Sequence, residues 1–204
     1  MPSLLLFSDI HRDQDACAAL VRRAADVDLL VGAGDLCTMR RGLDDVISTL
    51  SAIDTPTVLV PGNAESADEL RAACASWSAA TVLHGDTCQV EGVDVAGIGG
   101  GIPVTPFGDW SYDLTEAEAA SLLAGVTLPG SPGGVLVSHS PPKGLVDRDS
   151  SGRSLGSEAV RDAINTLQPA LMVCGHIHAS WEQQETVGAT QVINAGPDGI
   201  RYEL

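Results

Sequence analysis

At 204 residues the chain is long enough to bury a full core as one domain, residues 1–204, and its 44% hydrophobic and 19% charged content is that of an ordinary globular protein. With 11 Lys and Arg against 27 Asp and Glu, a net charge of −16, it lacks the cations that a long nucleic-acid footprint requires; a small phosphorylated partner stays compatible if metal cations reverse the local field. No apolar run approaches the roughly 18 residues of a membrane helix, and the five cysteines, odd in number and without a C-x-x-C pair, argue against a disulfide framework or zinc ribbon and for a cytoplasmic location.

The N-terminal Met-Pro-Ser-Leu-Leu-Leu-Phe has no basic region of a signal peptide and reads as a buried strand, 3–8. A helix is expected near 13–25, with Ala16, Leu20 and Val21 apolar, then a strand at 28–32, a helix near 42–52 and a strand at 57–61. Ser66 with Glu69 three residues on predicts the N-cap of a helix near 66–76. This β-α-β-α-β opening implies a parallel sheet with right-handed crossovers. Short strands at 81–83, 88–90 and 93–98, split by His84-Gly85-Asp86 and Glu91-Gly92, suit hairpins or a meander. A Gly/Pro-rich loop, 99–109, leads to a helix near 115–124 opened by Thr115 and Glu118. The last third returns to α/β: a strand at 134–138, a polar loop 143–154, a helix near 157–167, a strand at 170–174, and two strands near 180–187 and 189–194 separated at Gly188.

Five short stretches follow these strands and carry seven N or O donors: Asp9 and His11, Asp35, Asn63, His139, and His176 and His178. Four of the five histidines fall in them. His, Asp and Asn are ligands for zinc, manganese or iron, and seven are too many for one ion and about right for two that share a ligand. In open α/β sheets, sites lie beyond the carboxyl ends of the strands, so five strand ends would converge on one rim. Two metals about 3.5–4 Å apart can clamp a phosphoryl group and activate water. Asp35, with no other acid in the six positions before it, is the candidate bridging carboxylate. Cys37 and Cys174, beside these motifs, read as small packing residues. Arg12, Arg40 and Arg41 are candidates to hold a substrate phosphate; Asp109 and Trp110 are candidates to border the substrate mouth.

Other catalytic patterns fail. Ile102 stands where G-x-G-x-x-G needs its third glycine, Gly32-Ala33-Gly34 lacks the Lys-Ser/Thr of a P-loop, and Ser138 and Ser140 lack the G-x-S-x-G elbow.

With D-x-H at 9–11, G-D at 34–35, G-N at 62–63, His139 ahead of a short loop and G-H-x-H at 175–178, the chain resembles the calcineurin-like metallophosphoesterases over nearly its whole length. Residues 99–107, 138–144 and 194–197 are similar to the small prokaryotic phosphoesterases called Icc-related. The resemblance implies an α/β fold, a four-layer α/β/β/α sandwich of two mixed sheets flanked by helices. It implies two divalent ions, manganese foremost, with iron, zinc or nickel also suited to an all-N/O site. One ion would be held by Asp9, His11, Asp35 and His178, the other by Asp35, Asn63, His139 and His176. It further implies hydrolysis of phosphomono- or diesters by in-line attack of a metal-bridging hydroxide, with Asp35, Asn63 and His139 catalytic. The partner would be a small phosphorylated substrate such as a nucleotide.

One departure stands out. The family motif continues G-N-H-[ED], its His contacting phosphate and helping to protonate the leaving oxygen; this chain has Ala64, then Glu65, read as a loop support. General acid catalysis is typically worth about 10²–10⁴-fold, so turnover should be weak and favour aryl esters or anhydrides. His84 is the spare histidine that would be needed to take over the role. The alternative reading is a low-turnover, metal-containing nucleotide- or phosphate-binding protein.

Overall fold

A computed structural model describes residues 1–129 and 133–204. In chain order the elements are β1 (Ser3–Phe7), α1 (Gln14–Ala24), β2 (Leu29–Gly32), α2 (Leu43–Leu50), β3 (Thr57–Leu59), α3 (Ala67–Ala73), β4 (Ala80–Val82), β5 (Asp86–Val90), β6 (Val93–Ile98), α4 (Glu116–Leu123), β7 (Val135–Ser138), α5 (Glu158–Leu167), β8 (Leu171–Cys174), β9 (Gln184–Val187), β10 (Thr190–Asn194) and β11 (Ile200–Glu203). Both expected capping boxes form. Ser66 accepts from the Glu69 amide at the start of α3, and Thr115 accepts from Glu118 at the start of α4, each glutamate reaching back to the cap.

The strands make two mixed sheets, ordered β11-β1-β2-β3-β4 and β5-β6-β7-β8-β10-β9. Within each, the central strands are parallel; β11, β5 and β9 run antiparallel on the outside. Both faces of the central strands are buried, which is why they read as unbroken apolar runs. Alternate side chains of β1 serve different cores. Leu4 and Leu6 join Val31, Val58, Val137 and Val173 between the sheets. Leu5 and Phe7 pack with Leu20 of α1, Ile47 and Leu50 of α2 and Leu70 of α3. On the far side, Leu136 and Met172 pack against Ala119 and Leu123 of α4 and Val160 and Ile164 of α5. The result is the four-layer α/β/β/α sandwich. No helix among the described residues is long and apolar enough to cross a membrane.

Three expectations change. β4 belongs to no meander: it lies parallel to β3, Thr57 opposite Ala80, and extends the first sheet, so of these three strands β5 and β6 alone pair as a hairpin. The strand expected from residue 180 begins at Gln184, because His178–Ser180 forms a 3₁₀ turn that leaves Trp181 free to turn inward. β11 was not foreseen; its alternating half-exposed pattern is short and follows the Gly196-Pro197 turn, and pairing with β1 alone reveals it as a strand.

Candidate metal centre

Each donor stands just past the carboxyl end of a parallel strand: Asp9 and His11 after β1, Asp35 after β2, Asn63 after β3, His139 after β7, and His176 and His178 after β8. The backbone there is turned sharply. Asp9 (φ 53°), His11 (φ 47°), Asp35 (φ 55°) and His176 (φ 68°) are all left-handed, a conformation that costs a non-glycine residue on the order of 1–3 kcal/mol and persists only where its surroundings dictate it. Here they do. The Asp9 amide donates to the Gly34 carbonyl at 2.8 Å, that of His11 to Asp35 at 3.0 Å, and that of Gly175 to His139 at 3.0 Å. The strand-end loops thus lock one another.

Two glycines allow that closeness. A Cβ on Gly62 would fall 2.0 Å from Asp35 Oδ1, and one on Gly175 would fall 2.4 Å from Asp9 Oδ2. The glycines of the G-N and G-H-x-H motifs are therefore the space into which the carboxylates of the other loops fit.

The ligand atoms converge. His11 Nε2 lies 3.9 Å from Asp9 Oδ1 and 3.6 Å from Asp35 Oδ2; His178 Nε2 lies 3.6 Å from Asp9 Oδ1; His139 Nε2 lies 3.4 Å from Asp35 Oδ1 and 3.1 Å from Asn63 Oδ1. The His176 ring packs edge-on to that of His139, with centroids 4.9 Å apart. His11 Nε2 and His178 Nε2 face each other at 3.1 Å, an arrangement suited to two imidazoles that share a cation. Two triads place their ligand atoms within 4.8 Å of one another, Asp9-His11-His178 and Asp9-Asp35-His139. The donor set fits two hard-to-borderline divalent ions, and Asp9 and Asp35 are the groups common to its two halves.

A second ring of contacts orients these ligands. His139 Nδ1 donates to the Ala33 carbonyl at 2.7 Å and His11 Nδ1 to the Cys37 carbonyl at 3.1 Å, which turns both Nε2 lone pairs to the centre. Asn63 Nδ2 donates to Ser111 Oγ at 3.1 Å, leaving Oδ1 aimed at His139. Asp9 accepts from Ser8 Oγ at 2.6 Å, from the His176 amide at 3.1 Å and from Trp181 Nε1 at 3.2 Å. Glu65, fully buried, receives the amides of Gly62, Leu36 and Cys37 and so ties two ligand loops together. Trp181 and Ser111 carried no motif in the sequence; only their contacts give them a part.

Electrostatics separate the two carboxylates. Burial and the charge of Asp9 push Asp35 up to about 7. Asp9 is also disfavoured by burial, but the nearby His178 imidazole, the charge of His139 and the hydrogen bond from Ser8 outweigh that and hold it at about 2. Burial, then the charge of His139, drops His176 to about 3 and keeps it neutral, while the neighbouring Asp9 carboxylate raises His178. Two carboxylates this close resist ionising together, and a cation between them relieves that cost.

A cleft of about 680 Å³ opens over the cluster, with His11, Asp35, Asn63, His176 and His178 on its floor. Trp110 borders it, as do Arg153 and Asp149, which sequence reasoning passed over as parts of a polar loop; Asp109 does not line it. Nor do Arg12, Arg40 and Arg41. Arg40 instead donates to the Trp110 carbonyl and pairs with Glu69, and the Arg12 stem lies against Gly42. Ala64 is buried and outside the lining; its amide donates to Asp35 Oδ1 at 2.7 Å. His84 is held away, accepting from the Gly99 amide and bonded to the Tyr112 hydroxyl.

A family model described as calcineurin-like phosphoesterase matches residues 2–180. No curated protein matches the chain. Among solved structures, TT1561 of Thermus thermophilus superposes with a TM-score of 0.75 at 21% identity, covering 97% of this chain and 90% of that one. A dimetal phosphatase from Danio rerio gives 0.61 at 14% identity, covering 97% and 88%. The phosphopantetheinyl hydrolase of Mycobacterium tuberculosis gives 0.57 at 14% identity, covering 96% and 89%. At these identities the likeness establishes the fold.

Proposed function

We propose, from the premise that this chain belongs to the calcineurin-like phosphoesterase family, that it hydrolyses small phosphoesters with two divalent ions held by Asp9, His11, Asp35, Asn63, His139, His176 and His178. The observation that carries this reading is the clustering of the ligand atoms of Asp9, His11, Asp35, His139 and His178 under an open cleft, with Asn63 Oδ1 beside His139 and the His176 ring packed on that of His139. Bound divalent ions supply Lewis-acid charge to the phosphoryl oxygens and lower the pKa of water.

The chain's own residues do the positioning. Asp35 belongs to both halves of the site, and the Ala64 amide fixes its Oδ1. Asn63 is set by Ser111, itself bonded to Asp113 at 2.7 Å. His139 and His11 are held in one tautomer by backbone carbonyls. Among the described cleft residues no histidine is free to replace the family's proton donor: Ala64 offers no proton, His84 is engaged elsewhere, and His11, His176 and His178 all belong to the proposed ligand set. Esters whose leaving oxygen departs without a proton, aryl esters and anhydrides, are therefore the expected substrates. The missing donor also supports a second reading, a low-turnover protein that binds phosphate compounds through its metals.

The test is hydrolysis of nitrophenyl phosphate and bis-nitrophenyl phosphate by chelator-stripped protein given back manganese, zinc, iron or nickel singly. Turnover restored by metal and lost in Asp35→Asn supports the enzyme. Absence of turnover in protein carrying two ions turns the reading to the binding protein.

A further inference from the structure

Among the described residues, five large hydrophobic side chains are exposed, and three of them border one cleft. Val104 (58% exposed), Phe107 (50%) and Leu155 (39%) line the space above the metal ligands, whereas Met1 and Met39 do not. Exposed apolar groups gathered at one place mark a binding surface; scattered ones do not. Phe107 also stacks on Trp110, with centroids 5.5 Å apart and ring planes 11° from parallel.

This wall is built before anything binds. The Ile102 amide donates to Ser140 Oγ at 2.8 Å, the Thr105 amide to Asp113 Oδ2 at 2.9 Å, and the Leu114 amide to the Gly101 carbonyl at 2.9 Å. A preformed wall does not have to be ordered on binding. Charge is scarce by comparison. Arg153 is the one permanent cation among the described lining residues, and Asp149 pairs with it at 2.7 Å. The chain as a whole carries −16. A ligand with a second anionic group would find no unpaired cation on this wall.

We infer that the cleft selects phosphoesters whose organic group is a bulky, uncharged hydrocarbon, aryl or of similar size, laid against Val104, Phe107 and Leu155 while the phosphate faces the ligand cluster. This rests on the phosphoesterase reading of that cluster.

The experiment is calorimetric binding to the manganese-loaded protein of three probes that share one headgroup: methylphosphonate, phenylphosphonate and 4-carboxyphenylphosphonate. From the area a phenyl ring hides on a half-open wall, phenylphosphonate is expected to bind at least about tenfold tighter than methylphosphonate, and the added carboxylate is expected to weaken it. Phe107→Ala and Leu155→Ala, both at exposed positions that the fold does not need, should each lower the phenyl-to-methyl ratio; Met39→Ala, an equally exposed apolar residue off the cleft, should leave the ratio unchanged. Equal binding of phenyl and methyl probes, tighter binding of the carboxylated one, or an equal loss with Met39→Ala would overturn the inference while the metal centre stands. If none of the three bound to protein carrying its ions, the phosphoesterase reading would fall, and this inference with it.

Discussion

Asp35→Asn offers a test in which the sign of the effect depends on metal. Asp35 is buried beside Asp9, and its carboxyl lies at about 7 against an ordinary 3.8. The metal-free folded chain thus binds a proton that the unfolded chain gives up between those values. Stability of that form falls as pH rises through this window, and the full cost, roughly 4 kcal/mol, is reached above pH 7. Asparagine removes the charge and keeps the contacts. Its Oδ1 can accept from the Ala64 amide as Asp35 Oδ1 does at 2.7 Å, and its amide nitrogen, in place of Oδ2 near His11 Nε2, faces a ring nitrogen able to accept. At about 2–4 °C per kcal/mol for a chain of this size, chelator-treated Asp35→Asn should melt on the order of 10 °C above the wild type at pH 8, with the gap closing towards pH 4. With two ions bound the order should invert, because the variant lacks the carboxylate proposed to hold both. The assay is thermal unfolding by circular dichroism across pH 4–8, with and without chelator. A metal-free variant that melts below the wild type at pH 8 would refute the account of two crowded carboxylates whose repulsion a cation relieves.

Metal affinity should itself rise with pH, about tenfold per unit below 7 for one displaced proton, and level off above it as Asp35 ionises unaided; titration in buffers of different ionisation heat should count that proton, and a flat profile would contradict it. Gly62→Ala should abolish stoichiometric metal binding, since its Cβ would fall 2.0 Å from Asp35 Oδ1; elemental analysis that still finds two ions would show the loops can part. Trp181→Phe keeps a ring against His178 but deletes the N–H donated to Asp9, so metal affinity should drop about ten- to a hundredfold in a competition assay, and an unchanged affinity would assign Trp181 to packing alone. Ala64→His should raise the rate on alkyl phosphoesters relative to nitrophenyl esters; a rise of both alike would mean that the histidine acts other than by protonating the leaving oxygen.

The sequence by itself determined the repeating strand-then-helix order and the chemical kind of every donor. Both are local: an apolar run such as 3–7 is its own signal, the capping boxes at Ser66 and Thr115 span four residues each, and a D-x-H or H-x-H pattern announces its chemistry wherever it folds. What only the tertiary structure decided is long-range. Trp181 reaches Asp9 across 172 positions; β11 is a strand only because β1 lies beside it; β4 joins the first sheet because β3 offers it an edge. The same holds for the substrate side. Arg12, Arg40 and Arg41 stand next to ligands in sequence, yet the cleft draws its cation from Arg153 and its apolar wall from Val104, Phe107 and Leu155. Proximity along the chain fixes which loop a side chain rides on, while the direction of that side chain depends on the turn and on the loops packed against it, and those come from elsewhere in the chain.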